Sequence, residues 1–109
     1  MTVYKCLVNG SISDHHRTKV SDGLAKLTAA RFGTDPAGVS VEFTEIDDGR
    51  WFTAGEPSST TMVLGSVPPG TSQDLRAEHM DEVARFMAHT TGYDLDHIMV
   101  VAADDQDRT

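Results

Sequence analysis

Cysteine is almost missing from this sequence, Cys6 being the single one. One cysteine cannot close an internal disulfide, which fits a reducing compartment, and its place inside an apolar stretch marks it as a core residue. Long hydrophobic runs are also absent. No stretch approaches the ~20 apolar residues needed to cross a bilayer. Met1-Thr2-Val3-Tyr4-Lys5 lacks a basic segment leading into an apolar one, so the expected location is the cytoplasm. Positive charge is scarce too. Nine Lys and Arg stand against 17 Asp and Glu, a formal charge of −8, which disfavours nucleic acid and anionic membrane surfaces as partners. Residues 61–109 set nine carboxylates against Arg76, Arg85 and Arg108, so an anionic ligand would meet the first half. The five histidines lack H-x-x-x-H or Cys/His spacing and there is no G-x-S-x-G, so neither a metal site nor a serine hydrolase is expected.

What is present is an ordinary globular composition on 109 residues, enough for one domain with a modest core. Thr2 to Val8 is β-branched and apolar and stops at the turn signal Asn9-Gly10. From Ser13, a good N-cap, Val20, Leu24 and Leu27 recur at helical spacing as far as Gly33. After Asp35-Pro36-Ala37-Gly38, Val39, Val41 and Phe43 alternate with Ser40, Glu42 and Thr44, which reads as a half-buried strand. The order then repeats. Thr61 to Val67 reads as a strand and Pro68-Pro69-Gly70 as a breaker. Thr71 or Ser72 caps a helix with the stripe Leu75, Met80, Val83, Phe86 and Met87, and His97 to Ala102 makes a last apolar strand after Gly92.

A shift of 59 residues superimposes Thr61 on Thr2, Val83 on Leu24, Gly92 on Gly33, Asp94 on Asp35 and Val100 on Val41. The expected fold is therefore α/β, two tandem β-α-β units forming a four-stranded sheet with both helices on one face, because right-handed crossovers place them alike. We place repeat one at 2–46, a hairpin connection at 47–60, repeat two at 61–103 and a tail at 104–109. In the connection, Gly49 and Gly55 bracket Trp51-Phe52. The sheet face without helices carries apolar residues, so self-association is expected to cover it.

The segment Val39 to Pro57 resembles the second strand and following hairpin of the tautomerase superfamily, at Val39, Val41, Thr44-Glu45, Gly49, Phe52, Gly55 and Glu56. The opening T-V-Y is similar to the P-V-Y start of that superfamily, and the two-unit length is similar to its cis-3-chloroacrylic acid dehalogenase-like members. The resemblance implies a homotrimer and a cofactor-independent reaction on a small molecule. It implies proton transfer, conjugate addition or cyclisation on an enol, β-keto or α,β-unsaturated carbonyl compound, carried in the family by an N-terminal proline. Here that position is Thr2. Where 4-oxalocrotonate tautomerase-like chains place carboxylate-gripping arginines, this one has Ser11 and Ser40. Where the dehalogenase-like pattern has an arginine pair and a helix-one histidine, it has Val67 to Thr71 and, approximately, Thr28. The lost arginines imply a largely neutral substrate.

Thr2 is the catalytic candidate. With Met1 removed its primary amine would act as a base near neutral pH, general α-amines titrating at ~7.7–8.0, and its hydroxyl is a second nucleophile. Phe52 and Trp51 are expected to wall a substrate pocket that Arg50, Ser40 and Ser11 complete. Glu42 and Glu45 differ by an odd number on one strand and so face opposite ways, which spoils a paired-carboxylate reading. His16 and His79 lie along the apolar stripes, as core histidines or proton carriers at a helix end. The competing expectation is a catalytically silent homologue that binds a small molecule or serves as a structural subunit.

Overall fold

The computed structural model describes residues 2–47 and 49–104. Met1, Asp48 of the connection and residues 105–109 of the expected tail lie outside the described residues. The first strand, β1, covers Thr2–Asn9. Helix α1 (Asp14–Phe32) starts where the Ser13 side chain accepts the His16 N–H and ends at Gly33, whose φ of 67° lets its N–H reach the Ala29 carbonyl. The parallel partner of β1 is β2 (Val39–Ile46). A two-stranded excursion, β3 (Phe52–Thr53) and β4 (Glu56–Pro57), leads into β5 (Thr61–Val67). Helix α2 (Gln73–Thr91) and strand β6 (Ile98–Asp104) complete the chain.

The cap of α2 is Ser72, which accepts the Leu75 N–H. Thr71, the alternative in the sequence, is occupied in the preceding turn, its hydroxyl donating to the Pro68 carbonyl at 2.6 Å. The last strand begins at Ile98 because His97 closes a 3-10 turn, Leu95–His97, capped by Asp94. The same turn, Pro36–Gly38 capped by Asp35, precedes β2. Helices, caps and 3-10 turns thus all recur with the 59-residue shift. No helix among the described residues is long and apolar enough to cross a membrane.

Strand order is β2-β1-β5-β6, with the central pair antiparallel and both outer pairs parallel. In the centre Lys5 pairs with Leu64, which is its own repeat equivalent, so a pseudo-two-fold axis passes between them. Tyr4, Cys6 and Val63 point to one side and bury against Val20, Leu24, Val83 and Met87 of the two helices, and Val8 and Val67 are buried on the same side. Both helices therefore cover one face, and the core lies beneath them. Leu7, Met62 and Leu64 are half-buried on the other face, and Met99 and Val101 remain 50% and 42% exposed there.

Two positions break the repeat by size. A Cβ added to Gly65 would stand 2.5 Å from Cε1 of Tyr4, and one added to Gly23 2.1 Å from Cζ of Phe86. The glycines make room for rings that the opposite repeat replaces with Val63 and Leu27.

Candidate functional site

Thr2 opens β1, half-buried, and alternation puts its side chain on the helix face with Tyr4. Ser40 lies next to it in register, opposite Val3, but it is exposed and belongs to the open face. Within one chain these two side chains leave the sheet in opposite directions, so no single ligand bridges them through side chains alone.

The other candidates gather at the far end of β1. β2 ends there, Ile46 beside Asn9, and the connection folds back on itself. Ser58 donates its N–H to the Trp51 carbonyl at 2.8 Å, and Phe52 pairs with Pro57. Ala54 (φ 54°) and Gly55 (φ 82°) form the tip, the two consecutive left-handed residues of a type I′ turn. Phe52 is 54% exposed, Trp51 is half-buried, and the exposed Arg50 approaches Asp47 at 3.9 Å. Ser11 is exposed at the same end, just before Ile12, whose N–H is accepted by Glu45 at 2.8 Å. Seven strand steps separate this end from Thr2, roughly 23 Å at the usual rise. One chain therefore brings Arg50, Trp51, Phe52 and Ser11 to one end and leaves Thr2 and Ser40 at the other.

Glu45 also stands 3.6 Å from Arg17, which itself donates to the Ile12 carbonyl. It is a structural carboxylate, and the repeat copies it as Arg76 with Asp104. Glu42 is exposed on the open face. Among the described residues no three His, Cys, Asp or Glu side chains gather as a metal-ligand set.

His79, expected as a core histidine or a proton carrier, is buried, in a polar group whose other members, Tyr4 and Thr28, the sequence does not connect to it. The Tyr4 hydroxyl is 2.7 Å from Thr28 Oγ1 and 2.8 Å from His79 Nε2, and all three residues are buried. Phe32 packs edge-on to His79 at 5.0 Å. Burial holds His79 below the ordinary histidine range; the Arg31 guanidinium adds to this and Glu82 opposes it. Burial also raises the Tyr4 hydroxyl, against the lowering effect of its bond to Thr28. His79 Nδ1 has no partner among the described residues. The Thr28 hydroxyl is thus committed to the core rather than to a site. The repeat offered a signal: the 59-residue equivalents of Tyr4, Thr28 and His79 are Val63, Met87 and Val20, all apolar.

Three surface grooves lie away from the candidates. One of about 500 Å³ runs between α1 and β2 along Arg17, Ser21, Val41 and Phe43. A second of about 630 Å³ separates the helices along Leu27, Arg31, Glu82 and Phe86, and a third of about 340 Å³ adjoins it at Leu75. Arg31 is held there by Glu82 and by Glu78 at 3.5 Å.

Solved structures share this architecture. The structure of native Ps01740 is 23% identical in sequence and superposes with a TM-score of 0.88 over 94% of this chain and 93% of that one. A member of the cis-3-chloroacrylic acid dehalogenase family named N1 is 18% identical, with a TM-score of 0.87 over 94% of this chain and 74% of its own. A fused 4-OT described as a wild-type symmetric trimer is 17% identical, with a TM-score of 0.84 over 94% and 85%. No protein-family model matches the sequence, and no curated protein does. The fold implied by the tautomerase-superfamily resemblance is therefore the fold observed.

Proposed function

We propose that this chain is a tautomerase-superfamily enzyme of the cytoplasm that works as a homotrimer. It moves a proton, or adds a nucleophile, on a small and largely neutral enol, β-keto or α,β-unsaturated carbonyl compound, without a cofactor. The observation that carries this reading is the split of the candidate residues between the two ends of β1. A ring of copies can set the Thr2 end of one chain against the Phe52 hairpin of the next, which a single chain cannot do. The fold shared with a symmetric trimer supports the ring.

In this reading Met1 is removed and the Thr2 amine is the proton carrier. As an ammonium it donates a proton to the carbon of an enol, the carbonyl forms as the enol oxygen loses its proton, and the freed amine takes up that proton through solvent and is recharged. Phe52 and Trp51 of the neighbouring copy exclude water from the reacting face, and its Arg50 and Ser11 supply donors for a carbonyl oxygen, whereas Ser40 leaves the opposite face of the sheet from Thr2. The test pairs intact mass with turnover of phenylenolpyruvate and β-keto substrates. Thr2→Leu retains Met1, because excision needs a small second residue, and is expected to lose about 100-fold or more, the usual share of acid–base catalysis. Equal turnover by wild type and Thr2→Leu would sink the amine role.

A second reading, a catalytically silent binding or structural subunit, is favoured by one observation. Thr61, the repeat equivalent of Thr2, is an ordinary buried strand residue. Retained Met1 in the wild-type mass, together with no turnover, decides for it.

A further inference from the structure

We infer that His97, oriented by Ser59, is the second proton carrier of the proposed site: it takes the proton that the enol oxygen loses, before solvent returns one to the Thr2 amine. This rests on the enol reading above, which provides a donor for the carbon but no acceptor for the proton on oxygen. Of the residues placed at the hairpin end, Trp51, Phe52 and Ser11 do not ionise near neutral pH, and Arg50 keeps its charge. Glu45 is committed to the Ile12 N–H and to Arg17. Burial, with Glu45 adding to it, raises the Tyr93 hydroxyl, which stays a phenol. A histidine is the side chain that exchanges a proton in this range, and the fold brings one to this end.

His97 stands just before the Thr61–Ile98 pair that opens the β5–β6 ladder, and it is exposed. Its main-chain N–H is donated to the Asp94 carbonyl at 2.9 Å, and its Nδ1 lies 3.2 Å from Ser59 Oγ. Ser59 belongs to the returning arm of the connection. The preceding Ser58 donates its N–H to the Trp51 carbonyl, and the following Thr60 carbonyl accepts the Asn9 side chain at 2.9 Å. His97 is thus tied to the segment that carries Trp51 and Phe52. With Nδ1–H donated to Ser59, whose hydroxyl oxygen accepts, Nε2 keeps the lone pair of a base. Folding does not call for this ring. The turn Pro36–Gly38 has the same cap and the same 2.9 Å main-chain bond, and it ends on Gly38, the 59-residue equivalent of His97. Among the described residues, the charged groups of its own turn are Asp94, whose carboxylate accepts the Asp96 N–H, and Asp96, and those of the connection are Asp47, Arg50 and Glu56.

The step balances. The O–H pair of the enol becomes the carbonyl π bond as its proton passes to Nε2, and the C=C pair takes a proton from the Thr2 ammonium of the facing copy. The imidazolium then gives its proton to solvent, and the amine recovers one.

The experiment follows turnover of phenylenolpyruvate by the full-length protein as a function of pH, with circular dichroism confirming the fold of each variant. Wild type is expected to lose rate toward acid pH, where a charged imidazole cannot accept a proton. His97→Gly gives the turn the residue of its repeat equivalent and leaves room for a free base. It is expected to lose about 100-fold, the lower share of acid–base catalysis, to lose the acid limb, and to recover rate with added imidazole above the enzyme-free imidazole reaction. Ser59 is a positioning residue, so Ser59→Ala is expected to lower kcat by less and leave KM unchanged, and Ser59→Thr to restore it. If Thr2→Leu is impaired while His97→Gly keeps the wild-type rate and acid limb, the inference is overturned and the enol reading stands. A rate loss in His97→Gly that leaves the acid limb in place makes the residue structural and overturns the inference as well. Wild type without turnover overturns the enol reading and the inference with it.

Discussion

The Tyr4 hydroxyl and His79 Nε2 meet at 2.8 Å in the middle of the core, tying the first strand to the second helix across 75 residues of sequence. Thr28 takes up the other side of the same hydroxyl at 2.7 Å, so one oxygen joins β1 to both helices. Removing it strands two buried partners. Tyr4→Phe is expected to cost about 1–3 kcal/mol, the penalty of leaving buried polar groups unpaired. Thr28→Val added to it should cost less than its effect in wild type, because the hydroxyl it deletes has already lost its partner. Denaturant midpoints of the two single variants and the double variant check this, and strict additivity would show that the three groups do not act together.

The same burial makes stability depend on pH. His79 is held neutral in the fold, chiefly by desolvation, whereas in the unfolded chain it takes up a proton as pH falls through the ordinary histidine value of ~6.5. The unfolded state then binds more protons than the folded one. Stability is thus unaffected by this group above ~6.5 and falls below it, at up to about 1.4 kcal/mol per pH unit. Arg31 and Glu82 are the charged groups that act on it, in opposite directions. Urea midpoints of wild type and His79→Gln from pH 7.5 to 5.5 should diverge, with the wild type losing more. Parallel curves would refute the assignment to His79.

The elements were legible because each carries a local signal: Ser13 and Ser72 before the helices, Gly33 and Gly92 after them, and strict alternation in β2. The 59-residue shift supplied the sheet. Thr71 and His97 were harder, because which of two adjacent cap candidates is used, and where a strand leaves a 3-10 turn, depend on competing hydrogen bonds such as that from Thr71 to Pro68. His79 was expected as a core histidine or proton carrier and is buried, but its bonding with Tyr4 and Thr28 has no local signal. Thr28 and His79 lie 24 and 75 residues from Tyr4 and sit at apolar-stripe positions, where a polar residue looks like an exception until the helices close over it. The separation of Thr2 from Phe52 likewise follows from strand length and register, which motif matching ignores.

Gly65 is small because Tyr4 is large. A methyl at Gly65 would press on the Tyr4 ring at 2.5 Å, so Gly65→Ala is expected to lose about 1–3 kcal/mol by overpacking. Tyr4→Val, the residue found at the repeat-equivalent position, should remove most of that added loss when combined with Gly65→Ala. Thermal unfolding of the single and double variants reads the coupling. An equal cost for Gly65→Ala in both backgrounds would mean that the strand, not the ring, sets the requirement.

Cys6 offers a probe of the core that needs no substitution. It is fully buried, and desolvation pushes its thiol up to about 12, so at pH 8 almost none of it is the thiolate that reacts with disulfide reagents. Folded protein should therefore leave 5,5′-dithiobis(2-nitrobenzoate) unreduced at pH 8, and protein in guanidinium should react with one equivalent per chain. The linkage has a definite sign. Above the ordinary thiol value of ~8.5 the unfolded chain loses a proton that the folded one keeps, so stability falls as pH rises through that range toward 12. Cys6→Ala removes the thiol's share of this alkaline slope, leaving that of the buried Tyr4 hydroxyl, and opens a small cavity beside Val63. Rapid modification of the folded wild type at pH 8 would instead mean that β1 opens locally, because a buried thiol reacts only through opening.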